Sequence, residues 1–193
     1  VLWPAATKKL VKAGPDREVV EVFPYRSACP ASLWRSLITK AERELTFAGY
    51  TNYFLWLEQA RFGTALRRKA SAGCRVRFLV GEPDSDLTLA REREEDVALA
   101  LSTRIRVTLA ELEKLKGHDV DARYSSGHAY LSVFRFDDDM IVTPLLTHSV
   151  GHDAPTLHLR RHQDDGMFDR FAAHVEELWT RGTPVWEDRD GQA

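Results

Sequence analysis

Residues 129–136, AYLSVFRF, constrain the fold more than any other stretch, because the strand they suggest is apolar on both faces. On a pleat, Tyr130, Phe134 and Phe136 point one way, while Ala129, Leu131 and Val133 point the other. That pattern belongs to a strand buried on both sides, as in a sheet covered by helices. Two further short runs rich in β-branched and aromatic residues flank it, Asp119 to Tyr124 and Met140 to Thr143. Ser125-Ser126-Gly127 and Asp137-Asp138-Asp139 separate the three, which predicts consecutive strands joined by turns.

Upstream of this region the pattern alternates. Arg17 to Phe23 predicts a first strand ended by Pro24. Pro30 and Ser32 open a helix whose apolar spacing runs through Trp34, Leu37, Ile38 and Ala41 to Leu45. A strand over 46–50 and a helix over 55–72 follow, with Gly73 suited to a left-handed cap. Cys74 to Val80 predicts the third strand, and Gly81 to Ser85 a turn at its end. A helical pattern, interrupted or continuous, covers 87–115. Thr156 to Arg160 suggests a late strand and Asp169 to Trp179 a closing amphipathic helix. The expected class is α/β, with a mixed, largely parallel sheet and helices on both faces. In open sheets of this kind ligands bind beyond the carboxyl ends of strands.

At 193 residues the chain has room for one domain with a substantial core. Residues 18–186 are expected to form it, 187–193 a polar tail, and 1–17 a linker from an upstream domain. A net charge of -2 gives no general affinity for nucleic acid, so any such contact must be local. The two cysteines, Cys29 and Cys74, form no metal or redox pair, which suggests a cytoplasmic setting. No membrane association is expected.

This order of elements, from about residue 18 to residue 182, resembles half of a phospholipase D-type domain. The family carries H-x-K-x-x-x-x-D on such a strand: the histidine attacks phosphorus, the lysine neutralises phosphate oxygens, and two copies meet at a pseudo-twofold axis. With the signature's aspartate on Asp137, Tyr130 takes the histidine position and Ser132 the lysine position. The register that keeps His128 puts Tyr130 for lysine and Arg135 for aspartate. Neither register retains the triad, and no H-x-K occurs in the chain. Tyrosine, with an ordinary pKa near 10, is a poor neutral-pH nucleophile, and serine brings no charge. No catalytic residue and no cofactor is therefore assigned.

Val22 to Arg26, the RVRFLVGEPDS run and Thr156 to Arg161 are also similar to the C-terminal domain of actinobacterial regulators. These carry an Xre-like helix-turn-helix ahead of a degenerate phospholipase D-like domain. The resemblance implies an effector-binding and dimerisation module that reaches DNA only through its N-terminal head. The alternative is a divergent phosphodiesterase or nuclease using His128 or another histidine. A third possibility, a pure interaction module, predicts a pocket filled by Tyr130 and Phe134.

An anionic ligand is the natural occupant of a degenerate site. Arg26, Arg104, Arg160 or His128 would hold it, with hydrogen bonds from Asn52, Tyr130 and Ser132, since arginine donates to oxyanions in a planar fork. Glu82, Asp84 and Asp86 could hold a cation or a ribose hydroxyl, although the Glu82 to Ser85 stretch equally reads as a turn. The histidine pairs His148/His152 and His158/His162 have four-residue spacing, but Gly151 and Pro155 disfavour a helix at the first. On a strand that spacing spans about 13 Å, too far to share one ion. No metal site is expected.

Overall fold

The computed structural model describes residues 17–95, 97–125, 127, 129–146 and 150–186. Its strands are β1 (Val19–Phe23), β2 (Glu44–Ala48), β3 (Arg75–Gly81), β4 (Val120–Ser125), β5 (Leu131–Phe136), β6 (Asp139–Pro144), β7 (Thr156–Arg160) and β8 (Thr183–Pro184). Its helices are α1 (Ala31–Lys40), α2 (Tyr53–Glu58), α3 (Phe62–Ser71), α4 (Asp86–Glu95), α5 (Leu101–Glu113) and α6 (Met167–Arg181). The strands form one sheet in the order β1-β7-β6-β5-β2-β3-β4-β8.

The sheet is mixed but not largely parallel. Only β2/β3 and β3/β4 are parallel pairs; β1/β7, β7/β6, β6/β5, β5/β2 and β4/β8 are antiparallel. Crossover helices sit between the parallel strands, whereas the second half returns by hairpins. The expected chain of three consecutive strands is half right. β5 and β6 form a hairpin, Phe136 opposite Asp139. β4, however, pairs with β3, and β5 lies on the other side of β2. Gly127 therefore belongs to a connection between non-adjacent strands, not to a hairpin turn.

Two helix boundaries also move. α1 stops at Lys40, because Glu44 to Ala48 is buried at every position and joins the sheet, taking Leu45 with it. The run over 55–72 is two helices, broken where Arg61 adopts φ 58°. A side chain in that left-handed region cannot continue a right-handed helix.

Alternate residues of the strands divide between two cores. Leu45, Phe47, Phe78, Phe134 and Phe136 cluster with Trp34 of α1, Phe54 of α2, and Phe62 and Leu66 of α3. Trp34 meets Phe54 and Phe134 edge-on at 5.2 Å, and Phe47 stacks on Phe78 at 4.8 Å. Ala48, Leu79, Val133, Met140 and Val142 instead cluster with Phe168 and Val175 of α6. Each large side chain buried here contributes roughly 1.5–3 kcal/mol.

At the amino ends of β2 and β3, Glu44 accepts hydrogen bonds from the Thr46 hydroxyl at 2.8 Å and from Arg77 at 2.6 Å. Arg75 and Arg135 pair with its other oxygen at 3.0 and 3.1 Å. Burial opposes the charge on Glu44, but these partners outweigh it and hold the carboxyl below the usual range. Arg77, only 3% exposed, also reaches Glu176 of α6 at 3.0 Å. This ion network closes that end of the sheet. The carboxyl ends of the parallel strands are left for a cleft.

Candidate ligand-binding cleft

β2 ends at Ala48, and residues 49–52 turn the chain into α2. Asn52 makes that turn. With φ 53° it takes the left-handed conformation that asparagine tolerates better than most residues. Its carboxamide accepts from the Gly49 amide at 3.1 Å and donates to the carbonyls of Phe47 at 3.3 Å and Leu79 at 3.1 Å. The side chain thus ties β2 to β3. Gly81, at the end of β3, lies against Tyr50 so closely that a β-carbon there would fall 2.4 Å from the ring.

Beyond this junction opens a cleft of about 340 Å³. Its floor comes from residues 49–54 together with Ser132 and Phe134 of β5, and its walls include Arg26, Arg104, Glu58 and Glu95. The cleft is open and lined by arginines, so the filled pocket expected of a pure interaction module is absent. Phe134 contributes to the wall. Tyr130 lies outside it, 43% exposed, donating to Glu94 at 2.9 Å.

Arg26 sits at the start of a 3-10 turn, Arg26–Ala28, beside a second such turn, Gly151–Asp153. Its guanidinium carbon lies 3.7 Å from the centroid of the Phe54 ring. A β-carbon at Gly151 would stand 3.1 Å from Arg26 Nη1, so glycine there leaves room for the guanidinium. No side-chain hydrogen bond or ion pair holds Arg26 among the described residues. Burial pushes its pKa down to about 10; Glu58 opposes that shift and Arg104 adds to it. Arg26 is half-buried, stacked on Phe54 and without an ion pair among the described residues, so its N–H groups can be taken up by an anionic ligand.

Arg104 is committed to Glu95, which also stands 3.3 Å from the fully buried Arg91. Its Nε is buried and lacks a hydrogen bond. Ser132 is 5% exposed, pairs across the hairpin with Thr143, and its hydroxyl makes no hydrogen bond among the described residues.

Four of the nine residues expected from sequence therefore meet in the cleft: Arg26, Asn52, Arg104 and Ser132. Asn52 is a scaffold residue there, since its amide is fully engaged. Four others lie elsewhere. Arg160 binds Asp139 through Nε at 3.1 Å and Nη2 at 3.0 Å, beside His158 at 2.7 Å from the same carboxylate. Asp84 pairs with Arg106 on the surface. Glu82 offers its backbone carbonyl to the Ser85 hydroxyl, as a turn does. Tyr130 is held by Glu94, and this hydrogen bond raises its phenol above the usual value. The ninth, His128, lies outside the described residues, as does His148.

Glu58, Glu95 and Gly151 were missed. Arg91 and Glu95 carried a legible i, i+4 charge pair. Nothing local to Glu58 or Gly151 distinguishes them, because each matters only through Arg26.

In the register with the signature's aspartate on Asp137, the lysine position is filled by a buried serine and the histidine position by a tyrosine that donates to Glu94. Asp137, at the aspartate position, accepts from the amides of Glu42, Arg43 and Glu44 at 2.8, 2.9 and 2.7 Å. It anchors the start of β2.

The fold is phospholipase D-like. The chain is similar to Nuc from Salmonella typhimurium, a phospholipase D family member, with a TM-score of 0.52 and 13% identity over 86% of this chain and 99% of that one. It is also similar to TrmBL2, an archaeal chromatin protein, with a TM-score of 0.56 and 11% identity over 90% of this chain and 57% of that one. Phosphatidylserine synthase of Haemophilus influenzae Rd KW20 resembles it at a TM-score of 0.49 and 12% identity, over 85% of this chain and 39% of that one. Residues 17–186 match the family described as a domain of unknown function, DUF5919, and the chain belongs to that family. No curated protein matches the sequence.

Proposed function

We propose that this domain is a catalytically inactive phospholipase D-like module that binds a small ligand through an anionic group and pairs with a second copy as part of a helix-turn-helix regulator. The half-buried guanidinium of Arg26, without an ion pair among the described residues and open to the cleft, carries the ligand-binding part of this reading. Catalysis is disfavoured by chemistry: a phosphoryl transfer needs an activated nucleophile and cations on the equatorial oxygens. Tyr130 and Ser132 supply neither. TrmBL2 shares the fold and is described as showing a novel mode of DNA binding, which supports a place for such a domain in a DNA-associated protein. The mechanism is a population shift: a ligand that favours one dimer geometry favours one spacing of the DNA-reading heads. Cys29 and Cys74 are free and buried, in keeping with a cytoplasmic setting, and no helix among the described residues is long and apolar enough to cross a membrane.

The test is thermal unfolding across carboxylates, phosphosugars and nucleotides, with wild type beside Arg26→Met. A ligand at 100 times its dissociation constant adds about 2.7 kcal/mol. A shift in wild type that the variant lacks is expected; equal shifts in both would remove Arg26 from the site.

A further inference from the structure

The charged side chains of the cleft are balanced. Arg26 and Arg104 face Glu58 and Glu95, and Glu95 is already committed to Arg104 and Arg91. His152 stands at the rim, exposed, 3.3 Å from Asp153. One guanidinium and one carboxylate remain, those of Arg26 and Glu58. Neither has a hydrogen bond or ion pair among the described residues. They are close enough that Glu58 exerts the largest charge effect on Arg26.

This balance selects among anions. A single carboxylate can take the planar fork of Arg26, but it leaves the charge of Glu58 unmatched. A phosphate dianion would carry a second negative charge toward Glu58, and among the described residues of the lining no arginine beyond Arg26 lacks an ion pair to meet it; Glu58 is exposed, so water screens part of that repulsion. Conversely, an ammonium group beside the carboxylate would give Glu58 a partner. Leu57, Leu101, Leu145 and Phe134 supply apolar surface in a lining that also holds Thr51, Tyr53 and Ser132. At about 340 Å³ the cleft is near the small end of ligand sites, the size for one compact metabolite.

We infer that the occupant is a zwitterion of amino-acid type with an apolar side chain, its carboxylate on Arg26 and its ammonium on Glu58. This rests on the cleft being a ligand site at all. Arg26 and Glu58 then discriminate by charge pattern, and the leucines and Phe134 by side-chain size. Ser132 adds a hydroxyl within the same wall.

Calorimetric titration with matched probes tests it: L-phenylalanine and L-leucine as zwitterions, 3-phenylpropionate without the ammonium, phenethylamine without the carboxylate, and inorganic phosphate as the dianion. Loss of either charge is expected to weaken binding at least tenfold relative to L-phenylalanine or L-leucine, whichever binds better. Glu58→Gln, at an exposed position at the end of α2, is expected to weaken the zwitterion about tenfold and leave 3-phenylpropionate unchanged or tighter. If 3-phenylpropionate or phosphate binds at least as tightly as both zwitterions and Glu58→Gln changes nothing, the zwitterion inference is wrong while the anion site stands. If none of the five binds to a folded protein, both fail.

Discussion

Arg26 lies over the face of Phe54, its guanidinium carbon 3.7 Å from the ring centroid, and this contact orients the arginine of the cleft that has no ion pair among the described residues. A guanidinium over an aromatic face gains about 0.5–1 kcal/mol at an exposed site and more where water is excluded. The contact leaves the N–H edge of the fork free for an oxyanion. Phe54 is itself fixed by Trp34 at 5.2 Å and Phe134 at 5.6 Å, so the orientation is inherited from the aromatic core.

Gly151 is the second support for that geometry. Gly151→Val places carbon where Arg26 Nη1 now has 3.1 Å of clearance from a β-carbon position and forces the guanidinium off Phe54. Ligand-induced stabilisation is expected to fall by more than half, while the unliganded stability changes by no more than about 1 kcal/mol at this half-buried loop position. Thermal unfolding with and without ligand reads both quantities. Full retention of the ligand response would show that Arg26 is not confined by Gly151.

Asn52 answers to stability. Asn52→Ala removes three buried hydrogen bonds and puts a side chain with no special tolerance for φ 53° into the strand-to-helix turn. At about 1 kcal/mol per bond, the expected loss is roughly 3 kcal/mol in chemical denaturation. A loss below about 1 kcal/mol would mean that water replaces the carboxamide, and Asn52 would again be available as a ligand contact.

Acid sensitivity follows from the carboxylates that anchor the sheet. Burial opposes the charges on Asp137, Asp139 and Glu44, yet backbone amides hold Asp137, His158 and Arg160 hold Asp139, and Thr46 with Arg135 and Arg77 holds Glu44, all below their ordinary values of 3.8 or 4.5. The unfolded chain binds these protons more readily, so the stabilisation is complete above the ordinary values and is lost as pH falls through the folded ones. Stability is expected to decline below about pH 4.5. Asp137→Asn should cost about 1–3 kcal/mol at pH 7, where a charge-assisted acceptor is lost, and should make the acid limb shallower. A variant as stable as wild type at neutral pH would contradict the anchoring role of its three amide contacts.

Much of the fold was legible because it depends on short-range pattern. The β-branched runs gave β1, β3 and β7, and the apolar periodicity gave α1 and α6, each within a few residues. The errors came from long-range choices. Whether β4 pairs with β5 or β3 is decided by the packing of Phe78 and Ala122 in one core, and no local residue states that. A largely parallel sheet was inferred by extending the front-half alternation too far. Arg26, Arg104 and Ser132 were identifiable by chemistry, but Arg160 was not separable from them, because Asp139 claims it across the β6/β7 pair.

The proposed absence of catalysis has its own test. In the register that puts the phospholipase D aspartate on Asp137, Tyr130 and Ser132 stand at the histidine and lysine positions, and the hydrogen bond to Glu94 raises the Tyr130 phenol above its usual value. The domain is expected to leave bis(p-nitrophenyl) phosphate unhydrolysed above the background of a Tyr130→Phe and Ser132→Ala double variant. Hydrolysis abolished by His128→Ala would instead establish the phosphodiesterase alternative.

The proposed role of Arg26, charged and without an ion pair for a ligand and not for the fold, is measured most directly by paired chemical denaturation of ligand-free wild type and Arg26→Met. Methionine keeps an apolar stem against Phe54 and removes the desolvated charge, so the two unfolding free energies are expected to agree within about 1 kcal/mol, or the variant to be more stable. A variant destabilised by about 3 kcal/mol or more, the cost of breaking a buried ion pair, would make Arg26 a structural residue and contradict the account.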